Sequence, residues 1–151
     1  MNDLEFDAFA HEAARRLRRA VPAAIGIDAA ADAVADALAW ACENRNKLDD
    51  LRNPHGYLYR LAVNAGRRTR PELTLPPVDV ATLPEVEPGL VPALMALSKM
   101  QRQVVWLVHG CQWTYGETAE ALDISASAVG THLTRAMTRL RAAIGEEADH
   151  E

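Results

Sequence analysis

Between Pro71 and Pro92 the chain reads PELTLPPVDVATLPEVEPGLVP, with six prolines, no basic residue and no helical period. Proline lacks a backbone N–H and clashes with the preceding turn, so it interrupts helix and sheet ladder alike. Residues 71–92 therefore read as an extended acidic linker that no regular element crosses. The chain is divided into an N-terminal stretch, 1–70, and a C-terminal one, 93–145, each the size of a small helical domain. The segment GEEADHE leaves residues 146–151 as an acidic tail.

Both stretches read as α-helical. Hydrophobic residues make up 49% of the chain but aromatics only 5%, and alanine is abundant. Alanine loses no rotamer freedom in a helix, and its small side chain lets helices approach closely. Phe6, Phe9, Ala10, Ala13, Leu17 and Val21 follow the three-and-four rhythm of an amphipathic helix, with four arginines in its second half. Pro22 and Gly26 break that rhythm. Asp28 is placed to cap a second helix reaching about Asn44, with Val34, Leu38 and Ala41 on one face. The loop RNKLDDLRNP leads into a third helix, HGYLYRLAVNAGRR, packed through Leu58, Leu61 and Ala62.

Beyond the linker, Ser98 with Gln101 and Thr114 with Glu117 both fit the S/T-x-x-E/Q capping box. They open helices over about 99–109 and 115–122. Gly110 stands where a glycine ends a helix, and a last helix runs from Ser125 to about Ile144. The whole chain is expected to be all-α, two small helical domains joined by the proline-rich linker.

The final helices have helix-turn-helix spacing. Ala119 is small where two helices must cross, Ile124 anchors the turn, and Ser125 can cap the second helix. Val129 and Leu133 hold that helix inward, leaving Ala126, Ser127, Gly130, Thr131 and Thr134 outward, towards a major groove. Spacing alone leaves open a three-helix bundle with no ligand.

Several functions are disfavoured. The net charge of −5 is concentrated in the linker and the tail, so it neither requires nor excludes nucleic acid. His11, His55, His109, His132 and His150 show no metal spacing with Cys42 or Cys111, and both cysteines read as buried and unreactive. Trp106 and Trp113 read as core and rim packing of the C-terminal domain. No nucleotide loop, nucleophile triad or catalytic carboxylate pair can be assembled, so no enzyme, cofactor or metal is expected. Neither a signal region nor an apolar run long enough to span a membrane occurs, which favours a cytoplasmic protein.

The block ALSKMQRQVVWLVHGCQWTYGETAEALDISASAVGTHLTRAMTRLRAAI resembles region 4, the −35-binding part, of bacterial extracytoplasmic-function sigma factors. DAAADAVADALAWACENRNKLDDLRNPHGYLYRLAVNAGRR is similar to region 2 of the same group. The two blocks stand in the family's order and cover roughly residues 4–145.

The resemblance implies core RNA polymerase as partner, met at the clamp helices of its largest catalytic subunit and at its flap region. Promoter DNA and an anti-sigma factor are the other implied partners. Asp32, Val34 and Asp36 match the family's acidic-hydrophobic polymerase-docking pattern, although Ala35 replaces a usual glutamine and Leu38 a phenylalanine. Asn64 matches the asparagine of the pocket that receives a base flipped from melted −10 DNA, and Leu48 an apolar position in the loop above it. Extruding a base costs a few kcal/mol, which polar contacts and stacking must return. Tyr57 stands where tryptophan is common, and Arg60, Arg67 and Arg68 match phosphate contacts. Of Tyr57 and Tyr59, one must be a packing residue.

Region 4 departs more. Ser127, Gly130, Thr131, Thr134, Arg135 and Arg139 fall on the −35 face, but Gly130, His132 and Met137 stand where the family often has basic residues. A sigma-like regulator acting mainly through protein contacts, or a stand-alone helix-turn-helix repressor, are the alternatives to a promoter-reading sigma factor.

Overall fold

The computed structural model describes residues 1–69 and 89–148; of residues 68, 69 and 146–148 only the backbone is described. The elements are α1 (Asp3–Ala20), α2 (Pro22–Ile25), α3 (Ile27–Glu43), α4 (Arg45–Asp49), α5 (Pro54–Thr69), α6 (Leu90–Ala96), α7 (Lys99–Val105), α8 (Tyr115–Leu122) and α9 (Ala126–Ala148). A single π turn, Trp106–Gly110, continues α7. Among the described residues there is no strand, and the all-α expectation holds.

Local chemistry sets most helix boundaries. The capping boxes Ser98/Gln101 and Thr114/Glu117 both form, and an unanticipated third, Asn2/Glu5, opens α1. Ser125 Oγ accepts from the Ala128 backbone N–H at 3.1 Å and caps α9. The predicted start of the second helix shifts by two residues. Gly26, at φ 88°, is the N-cap, a backbone state that only glycine adopts freely, and Asp28 lies in the first turn. Two short helices, α2 and α4, occupy stretches expected to be irregular.

The expected linker also ends earlier than its prolines suggest. Pro92 lies in the first turn of α6, where a missing N–H removes no intrahelical bond, so the proline is compatible with the helix. The far end of α6 is closed by Arg102, whose guanidinium donates to the carbonyl oxygens of Leu94, Met95 and Leu97, each at 3.2 Å. Arg102→Met keeps the apolar stem and leaves these acceptors without their donor. We expect it to lower unfolding stability by about 1–3 kcal/mol, read as a lower urea midpoint with an unchanged m-value.

Packing joins the two halves. One core holds Phe6, Leu17, Val34, Leu48, Leu58 and Tyr59 from α1–α5, and it also takes in Leu107, Trp113 and Ala121 from beyond the linker. Two smaller cores complete the C-terminal half. Ala93, Leu97, Ala136 and Leu140 form one; Val104, Ala119, Val129 and Leu133 form the other. Of the two tryptophans expected to pack within the C-terminal domain, Trp113 is buried in the shared core instead, while Trp106 stays 38% exposed with its ring against Gly110. That contact explains the small residue at 110; the left-handed position falls two residues later, at Gln112 (φ 62°).

Candidate nucleic-acid interface

On α5, Tyr57, Arg60, Asn64, Arg67 and Arg68 recur at three- and four-residue steps, which places them on one stripe of the helix. The opposite side is apolar, with Leu58, Ala62 and Val63 in the core. The structure thus brings together five of the six residues expected around −10 DNA. Asn64 and Arg67 are exposed, and the side chain of Arg68 lies outside the described residues. Tyr57 is half-buried against Trp40, ring centroids 5.1 Å apart, and Arg60 lies 5.7 Å from its ring. The sixth residue, Leu48, is 2% exposed in the core and anchors α4 from within. Tyr59 is the packing tyrosine, and burial raises its hydroxyl pKa.

The helix-turn-helix forms from α8, a turn at Asp123–Ser125 and α9. Ala119 sits at the crossing and meets Val129 and Leu133. Asp123 takes the left-handed conformation that ends α8, at φ 54°. Ala126, Ser127, Thr131, Thr134 and Arg135 are exposed. A Cβ on Gly130 would meet only Tyr115 Cε2, at an ordinary 3.6 Å, and Tyr115 is itself 45% exposed.

Hydrogen bonding narrows what this face can offer. Thr131 donates its hydroxyl to the Ser127 carbonyl at 3.1 Å, and Thr134 to that of Gly130 at 2.9 Å. Their outward oxygens remain as acceptors. Arg139 reaches Gln101 Oε1 at 3.3 Å, which braces α9 on α7. Arg135 is the exposed cation at the centre of the face.

The expected polymerase-docking residues divide. Asp32 and Asp36, four residues apart, are exposed on the same side of α3. Val34 is 3% exposed and belongs to the core, since it lies more than half a turn around the helix from either acid. Its side chain is therefore not open to a partner's surface.

Sequence reasoning missed the residues that join the halves. Arg16 on α1 pairs with Glu117 on α8, and its guanidinium lies 5.0 Å from the Trp113 ring centroid. Arg60 donates to Glu120 at 3.0 Å and to Asp123 at 3.3 Å. A Cβ on Gly56 would lie 2.5 Å from the Glu117 carbonyl oxygen, so only glycine lets α5 and α8 come this close. Burial, with the nearby Arg16, lowers the His55 pKa. Burial also pushes the half-exposed Cys111 thiol up to about 11, which keeps it protonated and poorly nucleophilic. Cys42, expected to be buried, is exposed, because it follows Ala41 off the core face of α3. No signal short of the tertiary fold marks these pairs, whose partners lie 60 or more residues apart.

Among the described residues, no group of His, Cys, Asp and Glu could hold a metal ion, and no helix is long and apolar enough to cross a membrane.

The family described as Sigma-70, region 4 matches residues 90–140, which takes in α6 to the middle of α9. The RNA polymerase sigma-E factor of Streptomyces coelicolor is 36% identical over 138 residues, covering 84% of this chain and 76% of that protein. The sigma factor RpoE of Bartonella quintana, solved with the anti-sigma factor NepR, shares the fold at a TM-score of 0.64 and 20% identity. That match covers 93% of this chain and 97% of the other. With its helix-turn-helix matched to region 4 and a relative aligned across most of its length, the chain belongs to the extracytoplasmic-function group of RNA polymerase sigma factors.

Proposed function

We propose that this chain binds core RNA polymerase in the cytoplasm and directs initiation by recognising −10 DNA through α5 and −35 DNA through α9. The observation that carries the proposal is the α5 stripe, where an exposed amide at Asn64 stands among Tyr57, Arg60, Arg67 and Arg68. An amide both donates to and accepts from a base edge, and arginines hold the backbone on either side of it. The N-terminal unit, residues 1–70, would meet the polymerase clamp helices through Asp32 and Asp36 and the −10 element through α5. The C-terminal unit, 93–145, would lie near −35 and the flap. The role is recognition and strand capture, and RNA synthesis is the polymerase's chemistry. Run-off transcription with purified core enzyme and genomic promoter fragments tests this; polymerase binding without any promoter-dependent transcript overturns it.

A second reading, a regulator that acts through protein contacts such as an anti-sigma partner, is favoured by the chemistry of α9. The −35 set Ser127, Gly130, Thr131, Thr134, Arg135 and Arg139 offers mostly hydroxyl acceptors, and Arg139 is already engaged. Gly130→Arg separates the two. The site has room for a side chain, and replacing a mid-helix glycine should also strengthen the helix by roughly 0.5–1 kcal/mol. If α9 faces DNA, duplex affinity rises and its salt dependence steepens by about one unit. Unchanged duplex binding with loss of a protein partner supports the second reading.

A further inference from the structure

Resting on the −10 assignment above, we infer that Trp40 of α3 is a further DNA contact: with Tyr57 it forms an aromatic platform for a base unstacked from the melted strand.

The chain has three tryptophans, and two of them have structural roles. Trp113 completes the shared core, and Trp106 lies against Gly110. Trp40 does neither. It stands in the last turn of α3, half-buried, packed on the margin of the core. Its ring meets that of Tyr57, with centroids 5.1 Å apart and planes inclined at 45°. A tryptophan or tyrosine closed into a core usually finds a partner for its polar atom. Among the described residues nothing hydrogen-bonds the Trp40 indole N–H or the Tyr57 hydroxyl, and neither atom is buried beyond the reach of water. The pair therefore offers ring surface at the boundary between core and solvent.

Its position ties it to the α5 stripe. Tyr57 is the first residue of that stripe, Arg60 lies 5.7 Å from its ring, and Asn64 follows one turn after Arg60. An aromatic platform, a cation and an exposed amide thus succeed one another in a line. Taking a base out of the duplex forfeits its stacking, and contact with protein rings returns part of that loss. Every base has a π face, so the platform holds any base, and Trp40 contributes to strand capture while the Asn64 amide reads the base edge. The rival occupant is the polymerase, because Asp36 stands one turn back on the same side of α3. The contact of the indole with Tyr57, a member of the stripe, favours DNA.

Three substitutions test the proposal. Trp40→Leu keeps an apolar side chain on the core but has no ring, Trp40→Phe keeps a ring, and Trp40→Ala keeps neither. With core polymerase, the Leu and Ala variants should give roughly five- to a hundredfold less promoter-dependent run-off transcript, and Phe should recover most of it. Polymerase affinity, read by pull-down, should stay within about twofold for all three, since a stacking contact acts on the DNA alone. In the free chain, single-stranded dT and dA homopolymers should both quench the indole emission, the dA·dT duplex should not, and Trp40→Phe should abolish the quenching. Trp106 and Trp113 remain in that variant and serve as the internal control. Single strands that leave the Trp40 emission unchanged, or a Leu variant as active as the Phe one, overturn the proposal. Loss of polymerase binding in the Leu variant also overturns it and makes Trp40 a docking residue beside Asp36. Quenching at Trp40 by a chain that never yields a promoter-dependent transcript overturns the −10 reading and leaves the platform standing.

Discussion

Asn64→Ala is expected to reduce promoter-dependent run-off transcription by roughly five- to a hundredfold while polymerase affinity stays within about twofold. Asn64 is exposed on α5, so truncation costs the fold little, within about 0.5 kcal/mol. An amide that both donates to and accepts from a base edge is worth about 1–3 kcal/mol of recognition, which sets the range. The acids assigned to the polymerase, Asp32 and Asp36, stand on a different helix, α3, and the substitution leaves them unchanged. Permanganate footprinting of the −10 region and a polymerase pull-down read the two effects separately. Equal loss in both would remove Asn64 from the base-binding role and make it a structural or docking residue.

The largest stability effect should come from Trp113→Ala. The indole is 3% exposed, meets Tyr59 edge-on at 5.4 Å between ring centroids, and carries the Arg16 guanidinium on its face. Its backbone N–H is held by the Leu107 carbonyl at 2.9 Å, so the loop presents the ring in one orientation. Truncating a buried aromatic costs about 3–5 kcal/mol from lost burial and the cavity that remains. For a chain of this size that corresponds to a melting temperature lower by roughly 6–20 °C. Trp106→Ala, at a ring 38% exposed, should cost markedly less. Differential scanning calorimetry distinguishes them, and equal effects would mean that Trp113 is not the element that ties the halves together.

Much of the secondary structure was legible because its causes are local. A capping box acts over three residues, so Ser98/Gln101 and Thr114/Glu117 announced α7 and α8 directly. The amphipathic rhythm of α1 and the helix-turn-helix spacing of Ala119, Val129 and Leu133 are likewise short-range patterns, and both pack as expected. Short helices were less visible. α2 and α4 have four and five residues, too few to show a period, and tertiary contacts hold them. α6 was hidden by Pro92, whose position in the first turn matters more than its presence.

The candidate site shows the same division. The α5 stripe could be read from spacing because one helix carries all of it. Leu48 and Val34 matched family positions by residue type, yet each turned inward, since which side of a helix faces solvent is settled by what packs on the other side. The sequence alone determined an all-α chain of two helical halves, the helix-turn-helix and the row from Tyr57 to Arg68. Only the tertiary structure decided that Trp113 leaves its own half to complete the core of the other, and that Arg16 and Arg60 meet acids of α8. The arginine contacts link residues 60 to 101 positions apart, and only chain folding brings such distant groups within hydrogen-bond reach.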